Sequence, residues 1–328
     1  MRICTITCSN VDNHGARLQT YALAKYLQDK GNDVRVIDYR PQYLDPSYDV
    51  LYWPGLLIKE WAKFFLRFAQ RIRSKKRHTS FVAFSKKYIP LTEKIFHNVE
   101  ELRSDPPEAD LYVAGSDQIW NTFFPNGTDP AFYLDFGSEK IRRESFAASF
   151  ATTTLRAGSE SFVRDNLKRF DCISVRERSG IEILEGLGYT GQIQDDPVFL
   201  LSSEQWDQIS DRTGEGERYV LVYDFFSDRQ IKKKACSIAK EGKLRIYAIC
   251  PFWQSYADKN YVTAGPETFV SLVKNASMIV TNSYHAIAFS MIYRRHFIFV
   301  PRPDGLNERI NDLLSRLSCE MSPKTNSR

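Results

Sequence analysis

The sequence predicts an α/β protein of two domains, each a parallel sheet flanked by helices, facing one another across a cleft. Three observations predict it. Short apolar runs alternate with amphipathic helical periods, the pattern of parallel strands joined by helical crossovers. The alternation comes as two series, separated by the polar segment SSEQWDQISDRTGEGE at 202–217. The 328 residues are also enough for two cores of ordinary size. The expected division is 1–205 for the first domain, 206–305 for the second and 306–328 for a C-terminal helix and tail. The amphipathic part of that tail, 306–317, is expected to pack back on the first domain.

The first series opens with RICTITC (2–8), a strand that places Cys4 and Cys8 on one face as small core residues. SNVDNHG (9–15) reads as a loop, and 16–30 as a helix. Ala16, Thr20, Leu23, Ala24 and Leu27 form its inward stripe, while Arg17, Lys25, Gln28 and Asp29 lie away from it. Gly31 stops that helix, and VRVID (34–38) is the next strand. Buried strands are then expected at 110–115, 144–149 and 171–175, followed by a helix over 177–185. The second series runs strand 219–223, helix 228–241 closed by Gly242, and strand 244–249. It continues with helix 266–275, strand 277–281, helix 285–293 and strand 296–300.

An insertion at 51–77 breaks the rhythm. Its apolar stripe is Leu57, Trp61, Phe64, Phe65, Phe68 and Ile72, opposite Lys59, Lys63, Arg67 and Arg71, with a basic run at Arg73, Lys75, Lys76 and Arg77. One reading is a helix packed on the body with a solvated basic face. The other is a peripheral contact with an anionic membrane surface, where basic residues meet headgroups and aromatics insert.

Composition narrows the function classes. With 43% hydrophobic and 26% charged residues, the chain is globular rather than disordered. The net charge of +5 is modest, the basic residues are spread out, and no nucleic-acid motif is present, so no nucleic-acid partner is expected. The six cysteines form no CxxC pair and no His/Cys cluster at metal spacing, so no metal site is expected. No secretory signal and no membrane-length apolar run are seen, and the expected compartment is the cytoplasm. GxGxxG, the Walker pattern and a nucleophile elbow are all absent.

In open α/β sheets, ligands collect beyond the carboxyl ends of the strands. Those ends deliver Asn10, Asp12, Asn13, His14 and Gly15; Ser116, Asp117, Gln118, Trp120 and Asn121; Arg176, Glu177 and Arg178; and Asn282, Ser283, Tyr284 and His285. His285 at a helix N-terminus, with Ser283 as its capping candidate, suits a phosphate or carboxylate. Structural roles compete: Asp117 as a turn residue, Trp120 as core, and Arg176 paired with Asp195 or Asp196 on the surface.

Taken in order, NHGARLQTYALAKYL, AGSDQIWN, SFAASF, ISVRERSG, DDPVFLL with Trp206 close behind, and NASMIVTNSYHAIAFSMIYRRHFIFV resemble the polysaccharide pyruvyl transferase family over nearly the whole chain. The resemblance implies two Rossmann-like domains facing a cleft, similar to the GT-B glycosyltransferase arrangement. It also implies transfer of a pyruvyl group from phosphoenolpyruvate to two hydroxyls of a sugar, forming a cyclic ketal during synthesis of a capsule or exopolysaccharide. Phosphoenolpyruvate is then a co-substrate, with no cofactor or metal. The family's donor-contacting arginine and histidine fall on Arg176 and His285. Some members have Arg-Leu-His where this chain has Ser283-Tyr284-His285; Arg294, Arg295, Arg302 or Arg309 is a candidate for the missing charge.

On this resemblance the catalytic set is His285, Asp117 and Arg176, with Asp117 and His285 as an acid/base pair of unassigned order. Donor binding falls to Arg176, Ser283, Tyr284, His285, Arg294 and Arg295. Acceptor binding falls to Asn13, Gly15, Gln19, Asp117, Trp120 and Asn121, since sugars need paired donors and acceptors beside an aromatic face. A lipid-linked sugar acceptor at the inner membrane face fits the basic insertion. The rival readings are a glycosyltransferase of the same architecture using a nucleotide sugar, and a non-catalytic glycan-assembly protein.

Overall fold

The computed structural model describes residues 1–44, 58–302 and 307–321, with 58–71 and 317–321 described as helix only. The first half begins with β1 (Arg2–Ile6), α1 (His14–Asp29) and β2 (Asp33–Tyr39). It continues through α2 (Ile58–Tyr88), β3 (Leu91–Phe96), α3 (Val99–Ser104), β4 (Leu111–Ala114) and β5 (Arg142–Ser145). The five strands form one parallel sheet in the order β3-β2-β1-β4-β5. Ile3 aligns with Val34 on one side and Leu111 on the other, and β1 is buried on both faces beyond Arg2. Helix α1 starts two residues earlier than its apolar period suggests because the Asn13 side chain accepts from the Ala16 N–H and caps it.

After β5 come α4 (Glu160–Leu167), β6 (Ser174–Val175), α5 (Arg178–Gly186) and β7 (Gln192–Ile193). The expected strand at 171–175 contracts to the two residues of β6, but the chain still runs parallel to β5 and its extension, with Cys172 against Glu144 and Val175 against Ala148. Strand β3 and helix α3 were not anticipated. Most side chains of β3 are exposed or half-buried, so an edge strand of this kind shows no clean alternation.

The second half follows a short helix, α6 (Ser203–Asp207). Strand β8 (Tyr219–Tyr223), α7 (Arg229–Gly242), β9 (Arg245–Ile249), β10 (Lys259–Asn260), α8 (Pro266–Asn275), β11 (Met278–Thr281), α9 (Tyr284–Ile292) and β12 (Phe297–Phe299) complete it. Its sheet is again parallel, in the order β10-β9-β8-β11-β12. The two sheets thus repeat one doubly wound topology, with switch points between β1 and β4 and between β8 and β11. This is the two-Rossmann arrangement expected from the sequence.

The halves share an apolar core rather than hanging on a polar linker. Trp206, inside the polar 202–217 segment, is fully buried, with its ring centroid 5.7 Å from Tyr21 of α1 and 4.7 Å from Phe289 of α9. Its indole N–H donates to the Val198 carbonyl. A single tryptophan in a polar run is invisible to pattern reading, yet its large ring carries much apolar surface into the core.

Residues 51–57 and the side chains of 58–71 lie outside the described residues, and with them most of the predicted stripe and its basic face. The helix does not end at 77 but runs on to Tyr88, burying Phe81 and Phe84. Arg77 is not part of a solvated run: it is buried, lies over the Phe81 ring and donates to the Asp12 carbonyl. Ser80 donates to the Thr263 carbonyl, so α2 touches both halves. Among the described residues no helix is long and apolar enough to cross a membrane.

A last helix, α10 (Glu308–Met321), returns to the first half. Arg316 pairs with Asp195 at 2.5 Å, and the Arg178 N–H donates to the Asp312 carboxylate at 3.4 Å. Ile310 and Leu313 are buried beneath it.

Candidate functional site

The carboxyl ends of the two sheets meet around a cavity of about 230 Å³. Asn13, Asp117 and Gln118 line it from the first half. Phe225, Phe226, Asn282, Ser283, Tyr284 and His285 line it from the second, with Arg302 and Arg309 closing it.

Asp117 follows β4 in a backbone conformation with φ 74, which aspartate tolerates better than bulkier residues. Just before it, a side chain at Gly115 would place a Cβ 2.3 Å from the Phe146 carbonyl oxygen, so glycine is required for the close pass of these loops. One Asp117 carboxylate oxygen is shared by two guanidiniums, Arg176 at 3.3 Å and Arg309 at 3.4 Å. Both guanidiniums also sit beside the Tyr284 ring, 4.8 Å and 5.7 Å from its centre, where the ring's electron-rich face favours cations.

Asp196 is the hub behind the cavity. It is fully buried and hydrogen-bonded to Arg176; it accepts from the Val198 N–H at 3.1 Å, and His285 Nε2 lies 3.5 Å from it. Burial alone would push this carboxyl up, but the Arg176 charge, aided by His285, outweighs it and holds Asp196 well below the usual carboxylate range. Burial likewise opposes ionisation of Asp117, and Arg176, His285 and Arg309 together reverse the effect and keep its carboxyl low. Burial, reinforced by the like charge of Arg176, brings the Arg309 guanidinium down to about 10.

His285 stands at the junction of the halves. A Cβ on Gly15 would fall 1.9 Å from its Nδ1, so the α1 backbone rests directly on the imidazole. Beside it, α9 begins without a side-chain cap. Ser283 occupies the cap position but makes no capping hydrogen bond, and the first turn holds no acidic residue. Expected as the cap, Ser283 instead leaves the helix's first N–H groups available to an anion in the cavity. Among the described residues, the buried Tyr284 hydroxyl has no hydrogen-bond partner, and the buried His285 Nε2 has only the 3.5 Å ion-pair approach to Asp196. Asp224, at the end of β8, accepts from the Asn282 amide and from the N–H groups of Phe226 and Asp228, which fixes the facing loop.

Several sequence expectations change. Arg176 does pair with Asp196, but in the interior; the exposed Asp195 takes Arg316 instead. Arg176 also lies behind Tyr284 and Asp117 rather than lining the cavity, so it and His285 meet through Asp196 and not across open space. Gln19 is fully buried; it donates to the Thr7 hydroxyl and the Ala16 carbonyl and accepts from the Ser116 N–H, bracing the turn under Asp117. Trp120 stacks on Tyr133 and donates to the Phe132 carbonyl, and Asn121 accepts from the Phe123 N–H; both are fully buried. None of these three can present a surface to a sugar. Gly15 serves by letting α1 approach His285.

Arg294 and Arg295 are exposed past the far end of α9, about 13 Å of helix away from its first turn. They do not line the cavity; Arg302 and Arg309 do. Asp196 was missed as a site residue. Its signal was the DDP motif, an aspartate placed to cap a turn that starts with proline.

The model of the family described as polysaccharide pyruvyl transferase matches residues 13–304. Among solved structures, a putative UDP-N-acetylglucosamine 2-epimerase from Listeria monocytogenes matches at 8% identity over 98% of this chain and 88% of its own, with a TM-score of 0.51. Heptosyltransferase WaaC of E. coli matches at 12% identity over 98% and 100%, TM-score 0.41. The Streptomyces glycosyltransferase SsfS6 matches at 13% over 96% and 86%, TM-score 0.41. At such identities the likeness concerns fold alone. A search of curated proteins found no match. The family match takes in the second sheet, the first sheet apart from β1, and the cavity-lining residues from Asn13 to Arg302, and on that extent the chain belongs to the polysaccharide pyruvyl transferase family.

Proposed function

We propose that the protein moves a pyruvyl group from phosphoenolpyruvate to two hydroxyls of a sugar, forming a cyclic ketal, in the assembly of a cell-surface polysaccharide. The observation that carries this reading is the convergence on one cavity of an uncapped helix N-terminus, His285, two arginines and an ionised aspartate. Phosphoenolpyruvate carries a phosphate and a carboxylate, and such a wall suits both.

The reaction needs a proton delivered to the methylene carbon of the donor, which leaves a cationic centre at the neighbouring carbon. A sugar hydroxyl adds there as a base takes its proton. Phosphate then leaves with its bonding pair, and the second hydroxyl closes the ketal as its proton is lost. Asp117, held ionised by Arg176 and Arg309, suits the base. His285 is then the acid, with Asp196 at 3.5 Å as counter-charge while the ring holds its proton. No step calls for a metal or a further cofactor. The acceptor would lie toward Asn13, Asp117 and Gln118, with Phe226 at the rim offering the apolar face that the buried Trp120 cannot.

A lipid-linked acceptor at the inner membrane face fits the rim of the cleft. Phe226, Phe252 and Trp253 are exposed there, and Arg73 of α2 lies 5.9 Å over the Trp253 ring. Gln254 ties this loop to Ser227, next to Phe226. The test is incubation with phosphoenolpyruvate and a panel of lipid-linked sugars, following phosphate release and the mass of the acceptor. Turnover with gain of one pyruvyl ketal is expected. No turnover, together with tight binding of a nucleoside diphosphate, would favour the glycosyltransferase reading instead.

A further inference from the structure

We infer that Arg309, on the C-terminal helix α10, is the cation that grips the donor's anionic group, and that in doing so it lets go of Asp117. The inference rests on the pyruvyl-transfer reading and deepens it.

Arg176 is poorly placed for the task. It is almost wholly enclosed, bonded to Asp196 through one guanidinium nitrogen and paired with Asp117 through another, and it does not line the cavity. Withdrawing it to meet a ligand would leave the buried Asp196 without its cation, which is costly. Arg309 lines the cavity directly. Its contact with Asp117 is a single long one at 3.4 Å, supplemented by Gln118 once that amide is turned with its oxygen toward the guanidinium. A planar guanidinium has five N–H donors, so beyond its contacts with Asp117 and Gln118 it retains donors for a phosphate or carboxylate.

The family match ends at residue 304, and α10 begins at Glu308. The helix is fastened for the role: Arg316 bonds Asp195 and reaches the Arg176 carbonyl at 3.4 Å, while Asp312 accepts from the Arg178 N–H. With α10 so held, Arg309 lies over the Tyr284 ring, 5.7 Å from its centre, beside the open first turn of α9.

Because Asp117 shares one oxygen between two arginines, donor binding has a consequence for the acceptor. Once Arg309 turns to the donor, Asp117 loses one of the charges that hold its carboxyl low, keeping Arg176 and the nearby His285, and becomes a better proton acceptor. The acceptor hydroxyl is then activated only after the donor is in place.

The test uses the full chain, comparing wild type with R309Q and R309K. Calorimetry with phosphoenolpyruvate and, separately, with inorganic phosphate is paired with steady-state kinetics and thermal unfolding. R309Q should bind phosphoenolpyruvate about 10- to 100-fold more weakly, the usual effect of losing a charge-assisted contact. R309K should recover part of that loss, and its melting should resemble wild type. If R309Q does not fold, R309K decides: weakened donor binding in a normally folded variant supports the assignment. Unchanged phosphoenolpyruvate binding in both variants overturns it while leaving pyruvyl transfer standing. If wild type binds phosphate but not phosphoenolpyruvate, and R309Q has lost the phosphate, the anion role of Arg309 stands and the pyruvyl reading fails. If wild type binds neither, both fall.

Discussion

Replacing Gly15 by alanine adds one methyl group at the contact between the two halves. Its Cβ would lie 1.9, 2.2 and 2.4 Å from three atoms of the His285 ring. Ordinary contact begins near 3.4 Å, so the ring or the α1 backbone must move by about 1.5 Å. The imidazole has little room, since Asp196 stands 3.5 Å from its other nitrogen. Alanine is also a better helix former than glycine by roughly 0.5–1 kcal/mol. Overpacking of this kind costs about 1–3 kcal/mol, so the net loss of stability should be about 1–2 kcal/mol. Catalysis should suffer far more, because a misplacement of about 1 Å at a reacting group can cost on the order of 100-fold. The assay is phosphate release from phosphoenolpyruvate beside urea unfolding of the same preparations. Turnover within a few-fold of wild type, with unchanged stability, would refute the reasoning: it would mean that the working enzyme does not hold α1 against His285.

Asp117→Asn keeps the side chain's shape and removes its charge; turnover should drop about 100- to 10,000-fold with donor affinity retained, and a parallel loss of donor affinity would move Asp117 to the donor side. Arg176→Ala strands the buried Asp196, so it should destabilise the fold by about 3–5 kcal/mol in denaturant titrations as well as abolish transfer; unaltered stability would show that water or another cation reaches Asp196. His14, buried between the halves, has Nε2 on the Ala264 carbonyl and therefore accepts from the Tyr223 hydroxyl at Nδ1; burial, with the Arg77 charge, lowers its pKa well below 6.5. The unfolded chain takes up this proton and the folded one does not, so the stability it contributes is full above about pH 6.5 and falls below it by up to about 1.4 kcal/mol per pH unit. His14→Gln should remove that slope, and a wild-type-to-variant gap that stays constant from pH 7 to pH 5 would contradict it. Trp253 fluorescence should shift to the blue with anionic vesicles at low salt and return as salt is raised; no shift, or equal shifts with neutral vesicles, would leave the rim a purely protein surface.

The sequence by itself determined the architecture. Parallel strands buried on both faces, as in β1, β8 and β11, read as short, mainly apolar runs, because helices cover both faces and their side chains meet core on either side. The residue sets at the carboxyl ends of those strands were legible too: Asp117, Ser283, Tyr284 and His285 all reach the cavity. Only the tertiary structure decided which way each turn aims its side chains. Trp120 and Asn121 lie within four residues of Asp117, yet the turn carries them into the first-half core, while Gln19 is drawn beneath it by the Ser116 N–H and the Thr7 hydroxyl. Charge pairing was only partly legible: Arg176 with Asp195 or Asp196 was an expected pair, but its burial, the choice of Asp196 and the link from Asp117 to Arg309 were not. Arg309 is 192 residues from Asp117, a separation at which the chain's local preferences carry no information about contact. Strand and helix periods are set by the neighbours in the chain, whereas a buried ion network is set by whichever elements the core brings together, and here that includes a helix from the far end of the sequence.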